Sequence, residues 1–185
     1  MKTILQRTSA LMLTIVLVCS ALPARVFANF QIPATCRVQA DAGGVHTVKI
    51  LDYDYDNNTY FSLRDMAMAL KGTDKAFSLE VTKNTVSLNP GGAYVSVGVE
   101  NLPWENSENP DLALRRNEFK VSGQTVYYYT MIMKLPSGDY DCFMMAADLA
   151  MILNVDMTVS EEGSLQIHTQ EPFYVSPDAL EEAGY

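Results

Sequence analysis

The sequence predicts an α+β protein of two tandem small modules, each an antiparallel sheet curved around one helix. Two observations carry this expectation. The block Tyr60–Leu70 (YFSLRDMAMAL) returns without a gap as Phe143–Leu153 (FMMAADLAMIL), and self-similarity on this scale marks two copies of one folding unit. Short segments of alternating apolar and polar residues flank both copies, separated by Gly- or Asn-containing turns, as expected of short strands.

The chain opens as a secretory signal. Lys2 and Arg7 precede the uncharged stretch Ala10–Leu22, and Val26-Phe27-Ala28 offers small residues where a signal peptidase cleaves. A signal peptide over residues 1–28 follows, with Ala24 as a second cleavage candidate. The uncharged stretch is shorter than the about 20 residues a membrane span needs, and no later segment is long and apolar enough to cross a bilayer. Loss of Lys2, Arg7 and Arg25 takes the formal charge from −9 to −12. That balance argues against nucleic acid and anionic membrane surfaces as partners.

The first repeat is placed at 36–98. Cys36–Gln39 and Val45–Leu51 read as strands around Asp41-Ala42-Gly43-Gly44. Alternation in Asp52-Tyr53-Asp54-Tyr55-Asp56 sets carboxylates on one face and tyrosines on the other. Ser62 is positioned as N-cap of a helix, and Asp65 three residues on completes a variant of the capping box. Leu63, Met66, Ala67 and Leu70 form one apolar stripe, and Gly72 marks the helix end. Phe77–Val81 and Thr85–Leu88 are the closing strands. Residues 99–117 have linker composition and carry Trp104, the only tryptophan, as a loop anchor or ligand platform.

The second repeat, 118–170, repeats this order. Phe119–Val121 and Thr125–Met133 make a hairpin, Tyr140–Phe143 leads into the second helix, and Thr158–Val159 and Leu165–Ile167 close the unit. Asp148 keeps the first-turn position of Asp65, while Met145 replaces the Ser cap and Ala147 replaces Arg64. Leu63, Met66, Leu70, Leu149, Ile152 and Leu153 are expected in the core. Residues 171–185 form an acidic tail.

Tyr60-Phe61-Ser62-Leu63-Arg64-Asp65-Met66-Ala67, followed by Asn84-Thr85-Val86-Ser87-Leu88, resembles the copper amine oxidase-like N-terminal domain, or stalk domain, of exported Gram-positive bacterial proteins. The first repeat is a good copy; the second is degenerate and lacks the Arg. The resemblance implies a small antiparallel sheet around one helix. It brings no catalytic residues, and the family name does not imply copper chemistry.

No cofactor is expected. His46 and His168 lie in different repeats, too few imidazoles for a redox copper site. Asp52, Asp54 and Asp56 imitate the start of a calcium loop, but Asn57 and Leu63 stand where Gly and Glu are needed. A Cys36–Cys142 disulfide would have to cross between the modules. Catalytic signatures such as Gly-x-Ser-x-Gly, His-Glu-x-x-His or Cys-x-x-Cys are absent from the sequence. The residues of the structural motif are Ser62, Leu63, Arg64, Asp65 and Asp148. The candidate binding surface is Tyr53, Tyr55, Tyr127, Tyr128, Tyr129 and Trp104, because three consecutive tyrosines in a strand must place at least one ring outward. The expectation is a secreted, non-catalytic binding or spacer module at the envelope, whose partner is a wall polymer or another exported protein. The alternative is an extracellular hydrolase with an acidic site between the repeats.

Overall fold

The structure is a computed structural model, and it describes residues 31–41, 43–53, 58–100, 112–160 and 162–174. The expected signal peptide, Asp54, Tyr55, Asp56, Trp104 and most of the acidic tail lie outside these residues. No helix among the described residues is long and apolar enough to cross a membrane.

The first repeat contributes β1 (Gln31–Ala40), β2 (Val45–Tyr53), β3 (Asn58–Ser62), α1 (Leu63–Ala69), β4 (Phe77–Val81) and β5 (Thr85–Pro90). The second contributes β6 (Arg115–Val121), β7 (Gln124–Lys134), β8 (Tyr140–Met145), α2 (Ala146–Leu153), β9 (Asp156–Val159) and β10 (Leu165–His168). These elements do not form two separate sheets. They make one ten-stranded mixed sheet in the order β4-β5-β6-β7-β8-β3-β2-β1-β10-β9, so the expectation of two α+β modules, each with its own antiparallel sheet, is corrected.

The correction has a definite cause in strand pairing. Strand β3 pairs antiparallel with β8 through Tyr60↔Met145, Phe61↔Met144 and Ser62↔Phe143. Phe61 and Met144 are equivalent positions of the sequence repeat, so a pseudo-two-fold axis passes between them. Directly opposed residues share one face of a sheet, which sets that axis perpendicular to it. On either side the closing hairpins are exchanged. The first repeat's β5 pairs in parallel with β6 of the second through Val86↔Phe119. Likewise β10 of the second pairs in parallel with β1 of the first through Val38↔Leu165. The exchange satisfies both backbone edges of β1 and β6 and, among the described residues, leaves β4 and β9 as the sheet edges.

Both helices pack on one side of this sheet. Helix α1 touches β1, β2 and β3 of its own repeat and β8 of the other, and α2 touches β3 as well as β8 and β9. One core follows, drawn from both repeats: Val38, Val48, Leu63, Met66, Leu70, Val86, Phe119, Met144, Leu149 and Leu165 are all at most 1 % exposed. Leu153 is also buried, whereas Ile152 is only half-buried. A second, smaller core sits on the opposite side at the pseudo-two-fold axis. Leu51, Tyr60, Met131, Met133 and Phe143 meet there under Leu112 and Leu114.

Local chemistry explains the turns. Ser122 and Gly123, between the paired Val121 and Gln124, both have positive φ (49° and 81°), the pattern of a two-residue type I′ hairpin. Helix α1 ends at Leu70 with right-handed backbone, whereas α2 ends at Asn154 in the left-handed conformation. Cys36 on β1 and Cys142 on β8 are both free thiols. Strands β2 and β3 stand between them, which at a strand spacing near 4.8 Å sets them roughly 14 Å apart, too far for a disulfide.

Candidate functional site

The charged residues of the first repeat form a buried clasp rather than an open site. Ser62 ends β3 in an extended conformation, and its hydroxyl accepts the Asp65 N–H at 3.1 Å, capping α1. The Asp65 carboxylate, wholly buried, accepts the Lys49 backbone N–H at 2.8 Å and the Lys49 ammonium at 2.9 Å. The same ammonium donates to the Val99 carbonyl at 3.4 Å. Arg64, 4 % exposed, donates from Nε to the Tyr140 carbonyl of β8 at 2.6 Å.

Asp141 on β8 completes the clasp from the second repeat. Its carboxylate accepts the Ser62 hydroxyl at 2.7 Å, the Arg64 N–H at 3.3 Å and its neighbour Cys142 N–H at 2.8 Å. A residue of one repeat therefore helps cap the helix of the other. The segment 91–100 closes over this cluster. Glu100 accepts from Tyr94 Oη, from Ser96 Oγ at 2.6 Å and from the Val97 and Gly98 N–H groups at 2.9 Å each.

The electrostatics follow from burial. Desolvation pushes the Asp141 carboxyl up to about 6, aided by the Asp65 carboxylate and opposed by Ser62, Lys49 and the Cys142 N–H. Burial also acts to raise Glu100, but hydrogen bonds from Ser96, Tyr94 and Val97 outweigh it and hold that carboxyl at about 2. Burial and the Glu100 hydrogen bond raise the Tyr94 hydroxyl, against the influence of Arg64. The two carboxyls have opposite effects on stability. Asp141 binds its proton more tightly folded than unfolded, so its contribution falls as pH rises from about 4 to about 6, by about 3 kcal/mol in all. Glu100 contributes above its unfolded value of 4.5, and that contribution is lost as pH falls through about 2. Urea midpoints measured from pH 3 to pH 8 should show both limbs. Asp141→Asn should remove the loss between about pH 4 and pH 6 and leave the acid limb in place.

The second repeat lacks this chemistry. Leu51 and Met131 occupy matching positions, because each is paired to the matching residue of β3 or β8, Tyr60 or Phe143. Two residues earlier on each strand, the place of Lys49 is taken by Tyr129. Asp148, in the first turn of α2, is half-buried with no hydrogen-bond or ion-pair partner among the described residues, and burial raises its carboxyl.

The tyrosines divide by strand face. Tyr128 turns inward and meets Phe119 edge-on with ring centroids 5.3 Å apart. Tyr127 and Tyr129 point outward and remain 51 % and 59 % exposed. The Arg116 guanidinium lies over the Tyr127 ring at 4.5 Å, a cation–π arrangement. Tyr53 ends β2, whereas Tyr55 and Trp104 fall outside the described residues. Asp52 accepts the Thr59 hydroxyl at 2.6 Å. His168 lies 3.5 Å from Asp41 and 3.1 Å from the Thr158 hydroxyl. Among the described residues, no group of three or more His, Cys, Asp or Glu side chains is placed to hold a metal.

Lys49, Tyr94, Glu100 and Asp141 were not among the residues singled out from sequence. Lys49 and Asp141 carried a signal nonetheless: Lys49 interrupts the apolar run Val48–Leu51, and Asp141 is the one charge in Tyr140–Met145. Tyr94 falls within the first repeat and reads as a residue packing down on it, whereas Glu100 carries no signal beyond the linker composition around it. No protein-family model, curated protein or solved structure matches this chain.

Proposed function

We propose that this chain is an exported, non-catalytic binding or spacer module of the bacterial envelope, built from two units related to the copper amine oxidase-like N-terminal domain. The observation that supports this most is the contrast between its two polar regions. Asp65 and Asp141 do converge from both repeats, as an acidic hydrolase site would require. They are at most 1 % exposed, and their oxygens accept bonds from Lys49, Ser62, Arg64 and Cys142. A substrate has no route to them without unfolding the clasp, so their role is structural. The β6–β7 face is open by contrast. Tyr127 and Tyr129 are held by the sheet, and on their face Arg116 and Lys120 are exposed, with Glu118 half-buried opposite Tyr127. Rigid amphipathic rings beside cations make a recognition surface at low entropic cost. The partner is a wall polymer or another exported protein.

A pull-down from wall fractions and culture supernatant, with the intact protein and with Tyr127→Ser/Tyr129→Ser, tests this. Both rings are about half-exposed, so the substitutions should cost about 1 kcal/mol each, from strand propensity and the Arg116 contact, and leave the protein folded. The expected result is a retained envelope component that the double variant loses. Retention by both proteins alike, or chemical turnover of the captured material, would contradict the reading.

A further inference from the structure

The hairpin exchange creates a second polar surface, on the side of the sheet away from the helices. Where β10 of the second repeat meets β1 of the first, a groove of about 360 Å³ is lined by Arg37, Gln39, Val45, Ser160, Ser164 and Gln166, with Glu162 at its rim. Strand register explains the lining. Val45, Gln39, Gln166 and Thr158 are successive partners across β2, β1, β10 and β9, so their side chains stand in one row roughly 5 Å apart. Arg37, Ser164 and Ser160 form the next row. Two glutamine amides thus lie side by side, one from each repeat.

The chemistry of this groove is neutral in sum and rich in paired donors and acceptors. Ser160 and Ser164 hydroxyls bond each other at 2.8 Å, and Gln166 Nε2 donates to Ser164 Oγ at 3.0 Å. This fixes the Gln166 amide and leaves its carbonyl oxygen unpartnered among the described residues. The Gln39 amide, the Arg37 guanidinium and the Glu162 carboxylate likewise have no side-chain partner among the described residues. A side-chain amide offers donor and acceptor together, which matches vicinal hydroxyls that are each both. Arg37 and Glu162 offset one another in charge. Val45, 52 % exposed, supplies an apolar spot for a C–H face. The volume is at the low end for a small-ligand site and suits one or two sugar rings. At the pseudo-symmetric junction the glutamine pair is replaced by Ser87 opposite Lys120, so the feature belongs to this half alone.

We propose that the β1–β10 groove, formed jointly by the two repeats, binds a neutral, hydroxyl-rich ligand: a pyranose unit of a glycan. The site stands apart from the Tyr127–Tyr129 face, and its test reads different residues. Isotope-labelled full-length mature protein would be titrated with the N-acetylglucosamine trimer and with maltotriose, following the side-chain amide resonances of Gln39 and Gln166 by NMR. At least one sugar should shift both resonances and saturate at about millimolar concentration. Gln39→Ala/Gln166→Ala should weaken binding by about tenfold while the protein stays folded by thermal unfolding, and Ser87→Ala, at the pseudo-symmetric counterpart of Gln166, should leave the affinity as it was. Silent glutamine resonances with both sugars, or wild-type affinity in the glutamine double variant, would overturn the proposal.

Discussion

Lys49→Met is expected to destabilise the protein by about 3–5 kcal/mol, the cost of leaving a buried charge without its partner. The Asp65 carboxylate is wholly buried, and Lys49 is its ion-pair partner at 2.9 Å. The aliphatic part of methionine fills much of the space left by the lysine stem, so the loss is electrostatic rather than a cavity. Pairing Lys49→Met with Asp65→Asn should recover part of the stability, because the amide carries no charge. A double-mutant cycle by urea unfolding gives the coupling directly. Asp148→Asn provides the contrast. Its carboxylate is half-buried and lacks a cation, so neutralising it should cost nothing and instead relieve desolvation. Equal losses at Asp65 and Asp148 would contradict the account of the clasp.

Phe143→Ala should cost about 3–5 kcal/mol. Phe143 is fully buried in the smaller core, where it meets Leu51 and Tyr60 of the first repeat and Met131 and Met133 of the second. Because that core joins the repeats, the damage should not be confined to one of them. Thermal unfolding of the variant should remain one cooperative transition at lower temperature. Separate modules would instead give two transitions, with only the second moved.

The sequence disclosed the succession of short strands around each helix and the cap of the first helix, but not the single ten-stranded sheet they share. Ser62 and Asp65 were readable because capping is local: it needs only residues three apart. The apolar stripe through Leu63, Met66 and Leu70 was readable for the same reason. The exchange of hairpins was not. Val86 and Leu88 on β5 carry the same alternation as Leu165 and Ile167 on β10. Either strand offers β1 or β6 an equivalent apolar face, so the pattern is silent on which copy pairs with which. The clasp was half legible. Ser62, Arg64 and Asp65 stand together in sequence, whereas Lys49 and Asp141 join them only through the β2, β3 and β8 neighbourhood. The β1–β10 groove could not be read at all, since its two glutamines are 127 positions apart and meet only through the exchange.

The central claim is therefore the exchanged, single sheet, and cysteine trapping tests it most directly. Ser87 on β5 and Lys120 on β6 are register partners on the outer face, and adjacent strands bring such positions within disulfide range. Under mild oxidation, Ser87→Cys/Lys120→Cys should form an intramolecular disulfide, mapped by mass spectrometry, with its circular dichroism unchanged. The control Ser87→Cys/Gln39→Cys joins β5 to the first strand of its own repeat, across five intervening strands, and should not cross-link. Trapping of the control pair in place of the first would show that each repeat keeps its own hairpin.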